Sequence, residues 1–150
     1  MKQFSFRYQT VLEVRERRQK AEEEVLQRML SAQRREEAEL ARLRAEHDAK
    51  WAEWQAAQRE AALDLQSLVL YQGFIEGMER HMKRQTDLIA DISARCDEQR
   101  KVLLAAMRET EVMIKLKERD LADWKQAIER AEDAMLDEMA MARHVRKDDF

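Results

Sequence analysis

Proline is absent from the 150 residues, and glycine occurs only twice. Because these two residues interrupt helices and supply turns, a chain with so few of them has little opportunity to reverse its direction. Hydrophobic types make up 45% of the residues and charged types 39%, and Ala, Leu, Glu, Gln, Arg, Lys and Met dominate. These are strong helix formers, so the composition favours a long helix or coiled coil over a compact globule.

Cysteine and long apolar runs are also scarce. Cys96 is the single cysteine, which excludes an intrachain disulfide and fits a reducing compartment. The N-terminal residues lack the apolar core of a signal peptide. The longest uncharged run, residues 65–75, is shorter than the ~20 residues that span a bilayer, so we expect no direct membrane insertion. The net charge of −3 is too balanced for a nucleic-acid-binding domain.

Residue patterns typical of catalysis are missing as well. The chain has no glycine-rich phosphate loop followed by Gly-Lys-Ser/Thr. His47, His81 and His144 are far apart, and none has a Glu or His three or four residues away to complete a metal site on its helix. Paired acidic residues are expected on solvated helix faces, where no pocket shifts their pKa values. We therefore expect no enzymatic activity, cofactor or metal ion, and a packing role for Cys96.

Apolar residues recur every three or four positions through most of the chain. Alternation of these steps over many turns predicts the narrow seam that a left-handed coiled coil buries. The predicted seam comprises Tyr8, Leu12, Leu26, Met29, Leu40, Leu43, Trp54, Ala57, Ala61, Leu68, Ile75, Met78, Met82, Ile89, Ile92, Cys96, Leu103, Met107, Thr110, Ile114, Leu121, Trp124, Ile128, Ala131 and Met135. Arg15, Gln19 and Glu22 occupy the positions between Leu12 and Leu26, so we expect weaker packing there.

Two positions are candidates for the turn between the helices. Asp64 is suited to cap a helix that starts at Leu65, because its carboxylate can accept a first-turn N–H. Gly73 and Gly77 are suited to a helix end. A turn near Asp64 leaves residues 121–143 without a partner in the chain, whereas a turn near the glycines gives equal arms. The apolar pattern alone does not choose between them.

Several stretches of the sequence resemble the flagellar export protein FliJ family. The first is residues 4–16, from Phe-Ser-Phe-Arg-Tyr-Gln to Val-Leu-Glu-Val-Arg-Glu. The second is residues 68–79, which resemble the family's Tyr-x-x-Phe-Ile-x-x-Leu-Glu pattern with Met78 in place of the usual Leu. Residues 116–119 and 137–143 are similar to its C-terminal half, so the resemblance spans nearly the whole chain.

The resemblance implies a fold and a set of partners. The fold is an all-α, long antiparallel two-helix coiled coil, a helical hairpin like the central-shaft gamma subunit of rotary ATP synthases. It forms one domain over residues 1–150, with helix 1 at about 5–61, a turn at about 62–65 and a longer helix 2 at about 66–144. The implied partners are a hexameric export ATPase, the export-gate membrane protein and export chaperones, at the cytoplasmic face of the inner-membrane export apparatus.

The resemblance also assigns residues to two contacts. The ATPase ring is expected to bind Phe6, Arg7, Arg15, Trp124, Ile128, Met135 and Arg143. The export gate is expected to bind Tyr71, Phe74, Met78, His81 and Gln85. The sequence thus predicts a non-enzymatic stalk of the flagellar type III export apparatus. The alternatives are the stalk of a virulence type III secretion system and a self-associating structural coiled-coil scaffold.

Overall fold

A computed structural model describes residues 3–60 and 64–148. Within these ranges the chain forms two α-helices, α1 (Gln9–Arg59) and α2 (Leu65–Asp148), and no strand. The predicted helical hairpin with a longer second helix is confirmed, since α1 has 51 residues and α2 has 84. The predicted turn at about 62–65 and the seam residue Ala61 involve residues 61–63, which lie outside the described residues.

The start of α2 is set by Asp64. Its carboxylate Oδ1 accepts a hydrogen bond of 2.7 Å from the backbone N–H of Ser67, as expected for an N-cap residue. This backbone hydrogen bond, with a further one from the Ser67 side chain, holds the pKa of Asp64 below its usual range. The prediction that Asp64 caps a helix beginning at Leu65 is therefore confirmed. The helix begins one residue before the approximate start at 66 that the family resemblance implied.

Gly73 and Gly77 lie inside α2, which continues through both without interruption. Neither glycine has a positive φ. A Cβ added to Gly73 would meet nothing within 4 Å. The alternative turn at the two glycines is therefore wrong, because neither residue adopts the backbone conformation that ends a helix.

The predicted start of α1 near residue 5 is also wrong, because the helix begins at Gln9. The Gln9 backbone N–H donates to the Phe6 carbonyl at 3.2 Å, which closes a turn before the helix. Phe6 is buried, and Phe4 packs against the same cluster. Side chains two residues apart share a side only in extended backbone, so joint packing of these two rings favours an extended entry to the helix.

Residue contacts divide the chain into two compact units, each of which includes parts of both helices. Unit 2 comprises residues 21–104. Its buried and half-buried positions together include an unbroken alternation of three and four residues on each helix. The buried side chains of unit 2 are Leu26, Leu40, Leu43, Ile75, Met78, Gln85 and Cys96. Cys96 has 0% exposure, which confirms the packing role expected for it.

Two identical polar contacts connect the helices of unit 2. The Gln85 Nε2 donates to both the backbone carbonyl and the carboxylate of Glu36. The Gln99 Nε2 donates in the same way to Glu22. Both members of the second pair lie 14 residues, or two heptads, from their counterparts in the first. Polar contacts at fixed seam positions specify the register in which coiled-coil helices pair.

Unit 1 comprises residues 1–20 and 105–150, of which 3–20 and 105–148 are described. Phe6, Leu12 and Met113 form its buried cluster, with Phe4 and Leu116 packed against it. Ala106 and Thr110 are also buried. The predicted seam is wrong at Met107 and Ile114, which are 43% and 39% exposed. The regular heptad steps run through the smaller Ala106 instead.

Candidate interaction surfaces

The first candidate surface, termed the terminal surface, is residues 131–147 of α2 in unit 1. Every one of these residues is exposed. Its large apolar side chains are Met135 (64% exposed), Leu136 (63%), Met139 (47%), Met141 (69%) and Val145 (64%). Exposed apolar side chains of this kind make the segment a candidate interaction surface.

The terminal surface begins later than the sequence predicts. Residues from 121 onward were expected to lack a partner, but the Trp124 ring centroid lies 5.9 Å from that of Phe4. Leu121, Trp124 and Ile128 are half-buried. The reason is the segment before α1, because Phe4 in that segment packs its ring against Trp124. The fully exposed part of the helix therefore starts after Ile128.

The seven residues predicted to bind the ATPase ring have different environments. Phe6 is buried at 6% exposure. Arg15 is half-buried and donates from Nη1 to the Glu109 carbonyl at 3.1 Å. Arg7 is exposed, with its guanidinium carbon 5.5 Å from the centroid of the Tyr8 ring. The remaining four are Trp124 and Ile128, which are half-buried, and Met135 and Arg143, which are exposed on the terminal surface.

The second candidate surface, termed the tip surface, lies in unit 2 beside the first turns of α2. It consists of Trp51, Leu65, Val69, Leu70 and Phe74, which are between 41% and 78% exposed. The Lys50 Nζ lies 5.6 Å from the centroid of the Phe74 ring, a cation–π distance. Ser67 and Tyr71 complete a groove with Lys50, Leu70 and Phe74. The surface therefore combines an apolar patch with a cation at its edge.

The five residues predicted to bind the export gate divide by burial. Phe74 and His81 are exposed, and Tyr71 is half-buried. Met78 and Gln85 are 8% and 7% exposed and face the interior of unit 2. Phe74 and His81 are therefore accessible to a partner that docks on the described conformation, whereas Met78 and Gln85 are not. The gate contact itself stays a prediction for all five.

An aromatic cluster next to the tip surface was not predicted as a unit. The rings of Trp51 and Trp54 lie 5.2 Å apart, and Trp51 stacks on His47 at 6.4 Å with an interplanar angle of 14°. The buried Trp54 Nε1 has no hydrogen-bond partner within the described residues. The i,i+4 spacing of His47 and Trp51 was the available signal, since such residues are neighbours on a helix.

His47 also connects the two helices of unit 2. Its Nδ1 lies 3.3 Å from Asp48 Oδ1 and its Nε2 lies 3.2 Å from Glu79 Oε1. Partial burial is the largest single effect on the pKa of His47, and it lowers that pKa. The hydrogen bonds to Asp48 and Glu79, with the negative charges of these two carboxylates, outweigh it, so the pKa of His47 is raised above its usual value. The pair of carboxylates thus favours the imidazolium form.

The described residues offer no arrangement typical of metal-dependent chemistry. Among residues 3–60 and 64–148, no group of three or more His, Cys, Asp or Glu side chains is placed to hold a metal ion. The same ranges contain no helix that combines the length and the apolar character required to cross a bilayer. What the two surfaces offer chemically is apolar contact area flanked by charge, which suits protein recognition.

Comparison with known families agrees with the resemblance noted in the sequence. The family model described as flagellar FliJ protein matches residues 4–149. No curated protein and no solved structure matches the chain significantly. The family match covers both helices, their connection and both candidate surfaces. The chain therefore belongs to the flagellar FliJ protein family, whose members are associated with flagellar type III protein export.

Proposed function

We propose that this chain is the non-enzymatic stalk that couples the hexameric export ATPase to the membrane-embedded export gate. In this proposal it acts at the cytoplasmic face of the inner membrane and also engages export chaperones. The terminal surface, with Arg7 and Arg15, binds inside the ATPase ring, and the tip surface binds the gate. Family membership and the helical hairpin support the proposal.

The observation that carries the ATPase contact is the exposure of residues 131–147. Met135 and Met139 present apolar surface that is 64% and 47% exposed, and no described residue buries it. Methionine adapts its shape to different surfaces because it is unbranched and flexible. A stalk that contacts successive subunits of a ring has to fit non-identical surfaces, and flexible apolar side chains meet that requirement.

The ATPase contact is tested with variants of exposed residues only. Trp124 is unsuitable because it packs against Phe4, so its loss would disturb unit 1 as well as a partner contact. Met135→Gln with Met139→Gln should weaken capture of the purified ATPase at least tenfold, while circular dichroism stays unchanged. Val112→Gln is the matched control, since Val112 is 61% exposed and lies on α2 outside the terminal surface. Equal capture by the double variant and the control would refute the contact.

The gate contact is tested in the same format with the purified cytoplasmic domain of the gate protein. Phe74→Ala should reduce gate capture and leave ATPase capture unchanged. Leu88→Ala is the matched control, because Leu88 and Phe74 are both 42% exposed on α2. If Leu88→Ala lowers gate capture as much as Phe74→Ala, the tip surface is not the docking site.

A further inference from the structure

Charge is divided unevenly along the terminal surface. Residues 131–140 contain four acidic side chains and no basic one, namely Glu132, Asp133, Asp137 and Glu138. Residues 141–147 contain Arg143, Arg146 and Lys147 and no acidic side chain. One half of the surface is therefore negative and the other positive, and the apolar side chains of Met135 to Val145 extend across both.

Helical spacing leaves these charges poorly paired within the chain. Glu132 and Glu138 have no basic residue three or four positions away, and Arg143 has Arg146 and Lys147 at those distances. Like charges at this spacing destabilise a helix, whereas opposite charges stabilise it.

We propose that the terminal surface of one chain pairs antiparallel with the terminal surface of a second copy when the ATPase is absent. In this orientation the acidic half of each copy meets the basic half of the other. A parallel pair would place the acidic half beside the acidic half and the basic half beside the basic half, which is unfavourable. The segment is thus complementary in charge to itself in one orientation only.

Heptad positions place one specific charge pair beside the seam. In a heptad frame, one set of seam positions is Ile128, Met135 and Ala142, and the other is Ala131, Glu138 and Val145. Glu132 and Arg146 then occupy the same position beside the seam, two heptads apart. Equivalent flanking positions face each other in antiparallel coiled coils. Glu132 of each copy then lies opposite Arg146 of the other, so the pair forms twice, and Met135 packs beside Val145 of the second copy.

The length of the surface fits this arrangement. The overlap covers residues 131–147 and ends before Ile128 and Trp124, which are half-buried. Trp124 packs against Phe4 of its own chain. A seam this short buries little surface, and Glu138 at a seam position weakens it further, so the association is weak and concentration-dependent. The proposed ATPase contact uses the same side chains, and the two states exclude each other.

Charge exchange tests the pairing in the full chain without the ATPase. Sedimentation equilibrium at ~0.1 M salt should show a concentration-dependent dimer for the wild type. Glu132→Arg and Arg146→Glu should each raise the dissociation constant about threefold to tenfold, because each creates two repulsive pairs. The double variant E132R/R146E restores opposite charges between copies and should return to within about twofold of the wild type.

The rescue is specific to contact between two copies. Residues 132 and 146 are about 21 Å apart along one helix, too far to interact within a chain. Monomeric wild-type protein at every concentration, single variants that dimerise normally, or a double variant that stays weakened would each overturn the pairing. Circular dichroism of each variant establishes that the helix is retained.

Orientation is measured separately by disulfide trapping in a Cys96→Ala background. Chains carrying Met135→Cys should cross-link to chains carrying Val145→Cys far more than to themselves. Self-cross-linking of the Met135→Cys chain as the main product would indicate a parallel pair and overturn the proposal. The experiment contains no ATPase, so a negative result contradicts the self-pairing without contradicting the proposed contact with the ATPase ring. A negative result in the ATPase capture likewise does not contradict the self-pairing.

Discussion

His47 is the residue whose chemistry depends most directly on pH. Both of its ring nitrogens face carboxylate oxygens, of Asp48 and Glu79, and an ionised carboxylate can only accept hydrogen bonds. Both contacts are therefore made in full only by the doubly protonated imidazolium. Since Glu79 is on α2 and His47 on α1, protonation strengthens a contact between the two helices of unit 2.

The raised pKa of His47 fixes the sign of its pH effect. Because His47 has a higher pKa in the folded chain than in the unfolded chain, its protonation stabilises the fold. This stabilisation is fully present below the pKa of the unfolded chain, about 6.5, and is lost as the pH rises through the pKa of the folded chain. His47→Gln should therefore cost up to about 1 kcal/mol at pH 5.5 and much less at pH 8.5. Urea unfolding of wild type and variant at both pH values measures this difference.

A control separates the helix contact from a general effect of histidine. His81 is exposed on α2 in the same unit, so His81→Gln should change the unfolding free energy little at either pH. A cost of His47→Gln that is equal at both pH values, or larger at pH 8.5, would contradict the role given to its two carboxylate contacts.

Within the elements, the two Gln–Glu contacts occupy seam positions that apolar residues fill elsewhere. Gln85 is 7% exposed, and its amide is committed to Glu36. Apolar side chains stabilise many registers of a coiled coil almost equally, whereas a polar contact is satisfied in one. Gln85 was predicted to touch the export gate, but its burial makes the register of unit 2 its direct structural role.

Gln85→Glu should destabilise the chain by about 1–3 kcal/mol at pH 7, because it places a second carboxylate against Glu36 and removes the amide donor. Gln72→Glu is the matched control. Gln72 donates to Glu76 at 3.2 Å, but on an exposed helix face, so its replacement should cost about 0.5 kcal/mol or less. Chemical unfolding measures both, and similar small losses would show that the seam contact is not specific.

Gly73 weakens α2 at a position where the described residues leave room for a larger side chain. Its backbone is helical, and an added Cβ would meet no atom within 4 Å. Gly73→Ala should therefore stabilise the chain by roughly 0.8–1 kcal/mol, the difference in helix propensity between the two residues. Thermal unfolding provides the measurement. Destabilisation by Gly73→Ala would mean that the helix is not continuous at this point.

The helices themselves could be predicted from the sequence more fully than the seam. Asp64 is a recognisable cap because its chemistry is local. The choice between Asp64 and the two glycines as the turn stayed open from the residue pattern, and the structure excludes the glycines because α2 continues through them. The seam was misplaced at Met107 and Ile114 because it was traced through the largest apolar side chains. The structure follows regular heptad steps through Gln99 and Ala106 instead. Gln99 is acceptable there because of Glu22, a partner 77 residues away that no local pattern reveals.

Across the whole chain, burial changes in a systematic way with position. The described core positions of both units are shielded by a second helix or by the entry segment, whereas residues 131–147 are exposed on every side. Candidate sites predicted from family resemblance fall in both kinds of environment. Phe6, Met78 and Gln85 belong to the packing that shapes the chain, whereas Phe74, Met135 and Arg143 are available to a partner.

This difference in burial predicts a gradient of amide hydrogen exchange. Helical amides without tertiary packing open with little free-energy cost, so residues 131–147 should exchange fastest among the helical residues described. Residues 96–113, which include buried Cys96, Ala106 and Met113, should exchange slowest and serve as the internal reference. Binding of the ATPase at low chain concentration, or self-pairing at high chain concentration, should slow exchange at 131–147 and leave the reference segment unchanged. Equal exchange of the two segments in the dilute free chain would contradict the assignment of 131–147 as an unpartnered helix, and with it the reason for expecting either partner there.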